Sequence, residues 1–360
     1  MKLQETGTAR EQGLDCLRMV CMGMVLILHM MGVGGILGNT TRDTAQYRAA
    51  WLLETYCYCA VNCYAILTGY VMIGKQRRPG RLLELWLEAL VYSVGTTLLI
   101  RYGFRENVEK DVLIQSFFPL FRGQYWYFSA YMGMMLLLPY LNRLLEGLSR
   151  KEYRQLLVII LVGFSLLPNF FQADPFRLVN GYGMAWLMMM YAVGGYIRRF
   201  MKPGGWGTGR WLGVFFAIGL LIWGNHMLMN GVTAHVKLPG ERNPALLWRH
   251  YDSPLMVLQA AALFLAFRAW KVRSGFAKKL IAVAAPASFG VYLLHMNLVS
   301  SETWKGKFGV LADGSAMQMV WKVLAVAAVL YCVCSLVDLV RIGLFRLLGI
   351  SRLCRKLDHR

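Results

Sequence analysis

The feature that most constrains this chain is a recurrence. Apolar windows of roughly twenty residues, each closed by a short polar or basic segment, return from one end to the other. Twenty helical residues rise about 30 Å, the thickness of a bilayer's hydrocarbon core. Ten windows approach that length, at 14–36, 51–73, 82–101, 125–142, 155–171, 182–198, 211–229, 252–270, 279–300 and 316–340. Lipid offers no water to free backbone groups, so each window is expected to be helical. The expected fold is all-α, a polytopic integral membrane protein of about ten transmembrane helices. A transmembrane body is expected over 1–345, followed by a basic amphipathic tail over 346–360.

The net charge of +20 has two readings, nucleic acid or membrane topology. Lys and Arg fall in short segments between apolar stretches and form no basic groove interleaved with aromatics, so no nucleic-acid partner is expected. The N-terminal tail and the segments after even-numbered windows hold roughly twice as many Lys and Arg as the remaining loops. That bias places both termini in the cytoplasm. KQRRPGR at 75–81 and FRAWKVRSGFAKK at 267–279 become inner loops, and the tail FRLLGISRLCRKLDHR is expected to lie on anionic lipid. The first window exceeds a secretory h-region and is expected to remain as the first span. The eight cysteines match no zinc spacing and are expected as packing residues. His226, His235, His250 and Glu241 are likewise not spaced as metal ligands, so no metal is expected.

Arg18 and His29 stand in the apolar stretch LRMVCMGMVLILHM at 17–30 of the first window. At 100° per residue, the eleven-residue step from Arg18 to His29 is about three turns plus roughly 20°. Both therefore project from one face, about 16 Å apart along the axis. A cation at a helix centre costs roughly 2.5 kcal/mol or more, a cost Arg18 lowers by snorkelling to the inner interface. A neutral imidazole at His29 still needs a partner or water. After the second window, Lys75, Arg77, Arg78 and Arg81 serve as a positive-inside marker or, through the planar guanidinium fork, as a phosphate site.

The stretch GLDCLRMVCMGMVLILHM resembles the first helix of the acyltransferase 3 family, whose mark is an Arg, ten residues, then a His; Arg18 and His29 match it. These are bacterial inner-membrane enzymes that O-acylate surface sugars. Arg78-Pro79-Gly80-Arg81 resembles the family's Arg-x-x-Arg. AILTGYVMIGK at 65–75, QYWYFSAYMGMMLLLPYLN at 124–142, YAVGGYI at 191–197, YDSPLMVLQAAALF at 251–264 and SFGVYLLHMNLV at 288–299 continue the likeness in order. The resemblance implies an acyl-CoA donor, commonly acetyl-CoA, docking from the cytoplasm, and a hydroxyl acceptor on an envelope glycan or glycolipid. Some relatives carry an extra extracytoplasmic domain after the last span, so a separate transfer partner is a further expectation. His29 is the expected general base, with a transient acyl-histidine as the alternative, and Arg18 orients the donor or holds charge near the thioester. Arg78 and Arg81 would bind CoA phosphates.

Three weaker sites remain. Tyr125 and Trp126 open the fourth window as an interfacial aromatic belt or an acceptor-stacking surface. Asp252 is either a helix cap or an acceptor contact, and His295, beside Tyr292 and Asn297, is either structural or acceptor-binding. Glu54, Asn62, Glu84 and Glu88 are expected in interhelical bonds, with Arg81 and Glu84 spaced for an i,i+3 pair. Intramembrane Arg and His also suit a proton-coupled transporter, although no inverted repeat or paired broken helices accompany them.

Overall fold

The computed structural model describes residues 11–76, 78–123, 125–202, 204–235 and 244–358. Helices run over Gln12–Met31 (α1), Ala45–Tyr58 (α2), Ala60–Met72 (α3), Pro79–Leu98 (α4), Lys110–Ser116 (α5) and Trp126–Leu136 (α6). They continue with Leu138–Gly147 (α7), Arg150–Ile159 (α8), Leu167–Phe171 (α9), Met184–Phe200 (α10), Thr208–His235 (α11) and Pro254–Ala269 (α12). The last are Gly275–Ala284 (α13), Ser288–His295 (α14), Leu298–Trp304 (α15), Ala316–Leu347 (α16) and Ile350–Leu357 (α17). Among the described residues there is no strand.

Every apolar window coincides with helix, and the fold is the expected all-α membrane bundle. Among the described residues, six stretches are long and apolar enough to cross a membrane as continuous helix: Gln12–Met31, Pro79–Gly103, Arg150–Phe171, Thr208–Thr233, Gly275–His295 and Ala316–Leu347. The other windows hold two shorter helices, α10 and α12, and two helix pairs. α2 passes into α3 at Cys59, and α6 into α7 just before Pro139, whose missing N–H and fixed φ break the ladder. Helix starts follow ordinary chemistry. Ser149 with Glu152 and Ser315 with Gln318 form capping boxes at α8 and α16.

α1 lies at the centre of the bundle, touching α2, α3, α12, α13, α14 and α16. Two-thirds of α1 is buried, against about a fifth of α11 and α16. α3 and α10 approach at bare backbone: a methyl group on Gly69 would sit 2.0 Å from the Tyr191 carbonyl oxygen, and one on Gly194 would sit 1.9 Å from that of Ile66. Small residues allow that approach where no water is available to drive helices together. The chain beyond α16 does not extend away from the bundle. α17 folds back onto α4, burying Ser351 and Cys354.

Most of the expected intramembrane polar bonds are present. Asn62 donates to the Tyr251 carbonyl and accepts from Trp186 Nε1, at 2.7 and 2.9 Å. Glu88 meets Arg341 at 2.9 Å, and Arg81 donates to Glu84 at 2.9 Å. Glu54 Oε2 has no hydrogen-bond partner among the described residues. All eight cysteines are free thiols.

Candidate active site

One elongated cavity of about 460 Å³ runs beside α1. Its lining includes Arg78 and Arg81 from the start of α4, Arg18 and Asp15 from the first half of α1, and His29 from the last turn of α1. Trp126, Tyr127, Tyr251 and Tyr292 line it as well. The helical register expected from the sequence is what puts Arg18 and His29 on this one wall, since α1 is continuous from Gln12 to Met31. The volume falls in the range of small-molecule sites.

Arg18 is half-buried and ion-paired to Asp15 one turn earlier, which supplies the counter-charge a guanidinium requires there. Asp15 was not anticipated, although an acid three residues before a buried Arg is a readable i,i+3 signal. The Arg18 carbonyl accepts from Tyr64 Oη at 2.6 Å, which ties α3 to α1 at that level. At the basic end of the cavity, burial first, then the charges of Arg78, Arg198 and Arg18, push the Lys75 ammonium below its ordinary value. Cations from three segments therefore crowd this end. Arg81 shares its charge with Glu84.

His29 is held by a second histidine. Its Nδ1 lies 2.9 Å from His295 Nε2, and His295 Nδ1 lies 2.6 Å from the Val291 carbonyl oxygen. A carbonyl oxygen only accepts, so in the neutral pair His295 Nδ1 carries the proton and its Nε2 is a lone pair. His29 must then donate from Nδ1, and its own Nε2 is left as the basic lone pair. The backbone of α14 thus selects the tautomer of a side chain on α1. Val291 carries no sequence signal for this role, because any residue has a carbonyl.

The remaining expected residues divide. Trp126 lines the cavity and stacks in an aromatic group with Tyr182, Tyr251 and Tyr58; ring centroids lie 4.7 Å apart for Trp126–Tyr182 and for Tyr182–Tyr251, and 4.5 Å for Tyr58–Tyr251. Tyr182 is exposed, so this stack connects the His29 end of the cavity to the surface. Tyr125 faces away from the lining and donates to the Leu293 carbonyl at 3.0 Å. His295 is buried behind His29 rather than on the wall. The cap of α12 is Ser253, not Asp252; the Asp252 side chain accepts from Asn169 Nδ2 at 3.2 Å, and it does not line the cavity. Among the described residues no group of His, Cys, Asp and Glu is placed to hold a metal ion. Arg77, Gln124, Glu241 and the His235 side chain lie outside the described residues.

The arrangement is a single cavity whose wall carries cations, a base and aromatic rings. A family model described as an acyltransferase domain matches residues 11–339. No curated protein and no solved structure gives a significant match. The match spans α1 through nearly all of α16, so the chain belongs to the acyltransferase 3 family of membrane acyltransferases.

Proposed function

We propose that the protein moves an acyl group, acetyl in the simplest case, from cytoplasmic acyl-CoA to a hydroxyl of an envelope glycan or glycolipid. The single observation that carries this reading is the continuity of one cavity past Arg78, Arg81, Arg18 and His29. Its shape suits a donor with a phosphate-bearing head and a long thin arm. Arg78 and Arg81 take phosphate oxygens, to which the guanidinium fork is matched. Arg18 stands about 16 Å from His29 along the helix axis, too far to touch a thioester placed at His29. It therefore steadies the donor's diphosphate or pantetheine arm and has no part at the reacting carbonyl.

The chemistry then falls to His29. Its Nε2 removes the proton of the acceptor hydroxyl as that oxygen bonds to the thioester carbon. Tyr127 and Tyr292, both on the wall, offer phenol hydroxyls to the tetrahedral oxyanion. Collapse breaks the carbon–sulfur bond, and the departing thiolate takes the proton from the imidazolium. The ester stays on the acceptor and CoA leaves as the thiol. Trp126, on the wall and backed by Tyr251, offers an aromatic surface to a sugar ring. In this reading both termini lie in the cytoplasm, and the membrane is the bacterial inner membrane.

Reconstitution of the pure protein in liposomes tests the assignment. Wild type should bind CoA, and His29→Ala should keep that affinity while losing about 10²- to 10⁴-fold in acyl transfer. Arg78→Ala with Arg81→Ala should weaken CoA binding instead. Full transfer by His29→Ala removes the base, and unchanged CoA affinity in the double variant removes the phosphate site. Comparative mass spectrometry of envelope glycans from cells with and without the gene should find one lost acyl mass, which identifies the acceptor.

A further inference from the structure

We propose that the C-terminal helix α17 is a clamp that positions Arg81 and the first turn of α4 for the donor; the inference rests on the donor site proposed above. α4 begins at Pro79 with Arg78 in the cap position, and Arg78 makes no side-chain cap bond. The first backbone N–H groups of a helix need an acceptor from elsewhere. Asp358 supplies one from 278 residues further along: its Oδ1 accepts from the Gly80 N–H at 2.7 Å. A carboxylate is also the favoured charge at that end of a helix.

The contact is close enough to dictate the residue at position 80. A methyl group there would lie 1.8 Å from the Cys354 carbonyl oxygen, so only glycine lets the two backbones meet. A second link reaches the cavity wall itself. Ser351 Oγ donates to Glu84 Oε1 at 2.6 Å, and Arg81 Nη1 donates to Glu84 Oε2 at 2.9 Å. Glu84 is therefore held by α17 while it holds Arg81. α16 delivers α17 to this place because it is locked to α4 through Arg341, which meets Glu88 and Asp338 at 2.9 Å each, and through Tyr92, which donates to Asp338 at 2.7 Å. A long guanidinium side chain restrained before the donor arrives loses less freedom on binding, which is how a clamp raises affinity without touching the ligand.

Ser351→Ala and Asp358→Ala in the full-length protein, with CoA as the calorimetric probe, test the clamp. Each should bind CoA about 3- to 10-fold more weakly, the worth of one hydrogen bond, with turnover at saturating acyl-CoA within about twofold of wild type. Asp358→Asn, which keeps the accepting oxygen, should restore most of the affinity. Hydrogen exchange at the Gly80 amide should quicken in Asp358→Ala and not in Asp358→Asn. If wild type binds CoA and both alanine variants bind it equally well, the clamp is overturned and the donor site stands. Turnover that falls as much as affinity, or Gly80 exchange unchanged in Asp358→Ala, overturns it too. If wild type itself fails to bind CoA, the donor site falls and the clamp's role falls with it.

Discussion

A neutral imidazole can carry its proton on either nitrogen, and only one choice leaves a base where His29 needs it. Val291 makes that choice through His295, whose Nδ1 has no option but to donate to a carbonyl 2.6 Å away. His295→Ala should therefore lower turnover by about 10²-fold or more, since mispositioning the proton of a catalytic histidine is worth up to ~10⁴ in a serine protease triad. CoA affinity should stay as in wild type, because no donor contact is lost. His295→Gln is the discriminating variant: its amide carbonyl accepts from His29 Nδ1–H and its amide nitrogen donates to Val291, so turnover should partly return. Equal losses in Gln and Ala variants would reduce His295 to a packing residue. Arg18 and His29 were legible because both lie on one helix, where spacing alone fixes relative direction. The His29–His295 bond spans 266 positions and depends on how α1 meets α14, which no local pattern encodes.

At the scale of elements, helix-to-helix distance is set where the backbones touch. The α3–α10 seam is bare at Gly69 and Gly194, and the atoms facing them are carbonyl oxygens that cannot swing aside. Gly69→Ala or Gly194→Ala should destabilise the bundle by at least the ~1–3 kcal/mol typical of overpacking, seen as a lower midpoint in thermal unfolding from detergent. Gly23→Ala in α1 is the control. Its methyl group would meet nothing within 4 Å, and the helix gains up to ~1 kcal/mol in propensity, so its midpoint should hold or rise. A Gly69→Ala midpoint no lower than that of Gly23→Ala would refute the seam. Apolar length announced the spans, because lipid imposes it, but averaged hydropathy is blind to a break such as Pro139. It also gave no hint that Ser351, Cys354 and Asp358 face α4, since a basic amphipathic tail fits a lipid surface and a protein groove equally well.

Across the whole molecule the two ends differ in character. The start of α1, the α3–α4 link and the ends of α10 and α12 converge around Tyr70. Arg198 and Arg268 lie over its ring, at 5.1 and 5.3 Å, and Arg198 meets Glu11 at 3.6 Å. Lys75 feels the charges of Arg78, Arg198 and Arg18 at once, so the α3–α4 link and the end of α10 share this end with the first half of α1. At the opposite end the Gly306 and Phe308 amides donate to the Val33 and Gly34 carbonyls at 2.9 Å, and Arg249 lies over the Trp51 ring at 4.0 Å. The denser cluster of cations attracts a polyanionic donor more strongly than the sparser one, so a preferred side of entry follows from charge. Membrane vesicles with the cytoplasmic face outward should take acyl-CoA added outside and acylate acceptor held inside, and sealed vesicles of the opposite orientation should be inert until permeabilised. Raised ionic strength should weaken donor capture in the first preparation, because the exposed cations are screened beyond about 10 Å at 0.1 M salt. Equal activity from both orientations would mean that the basic end is not where the donor enters, and the roles of Arg78 and Arg81 would have to be reassigned.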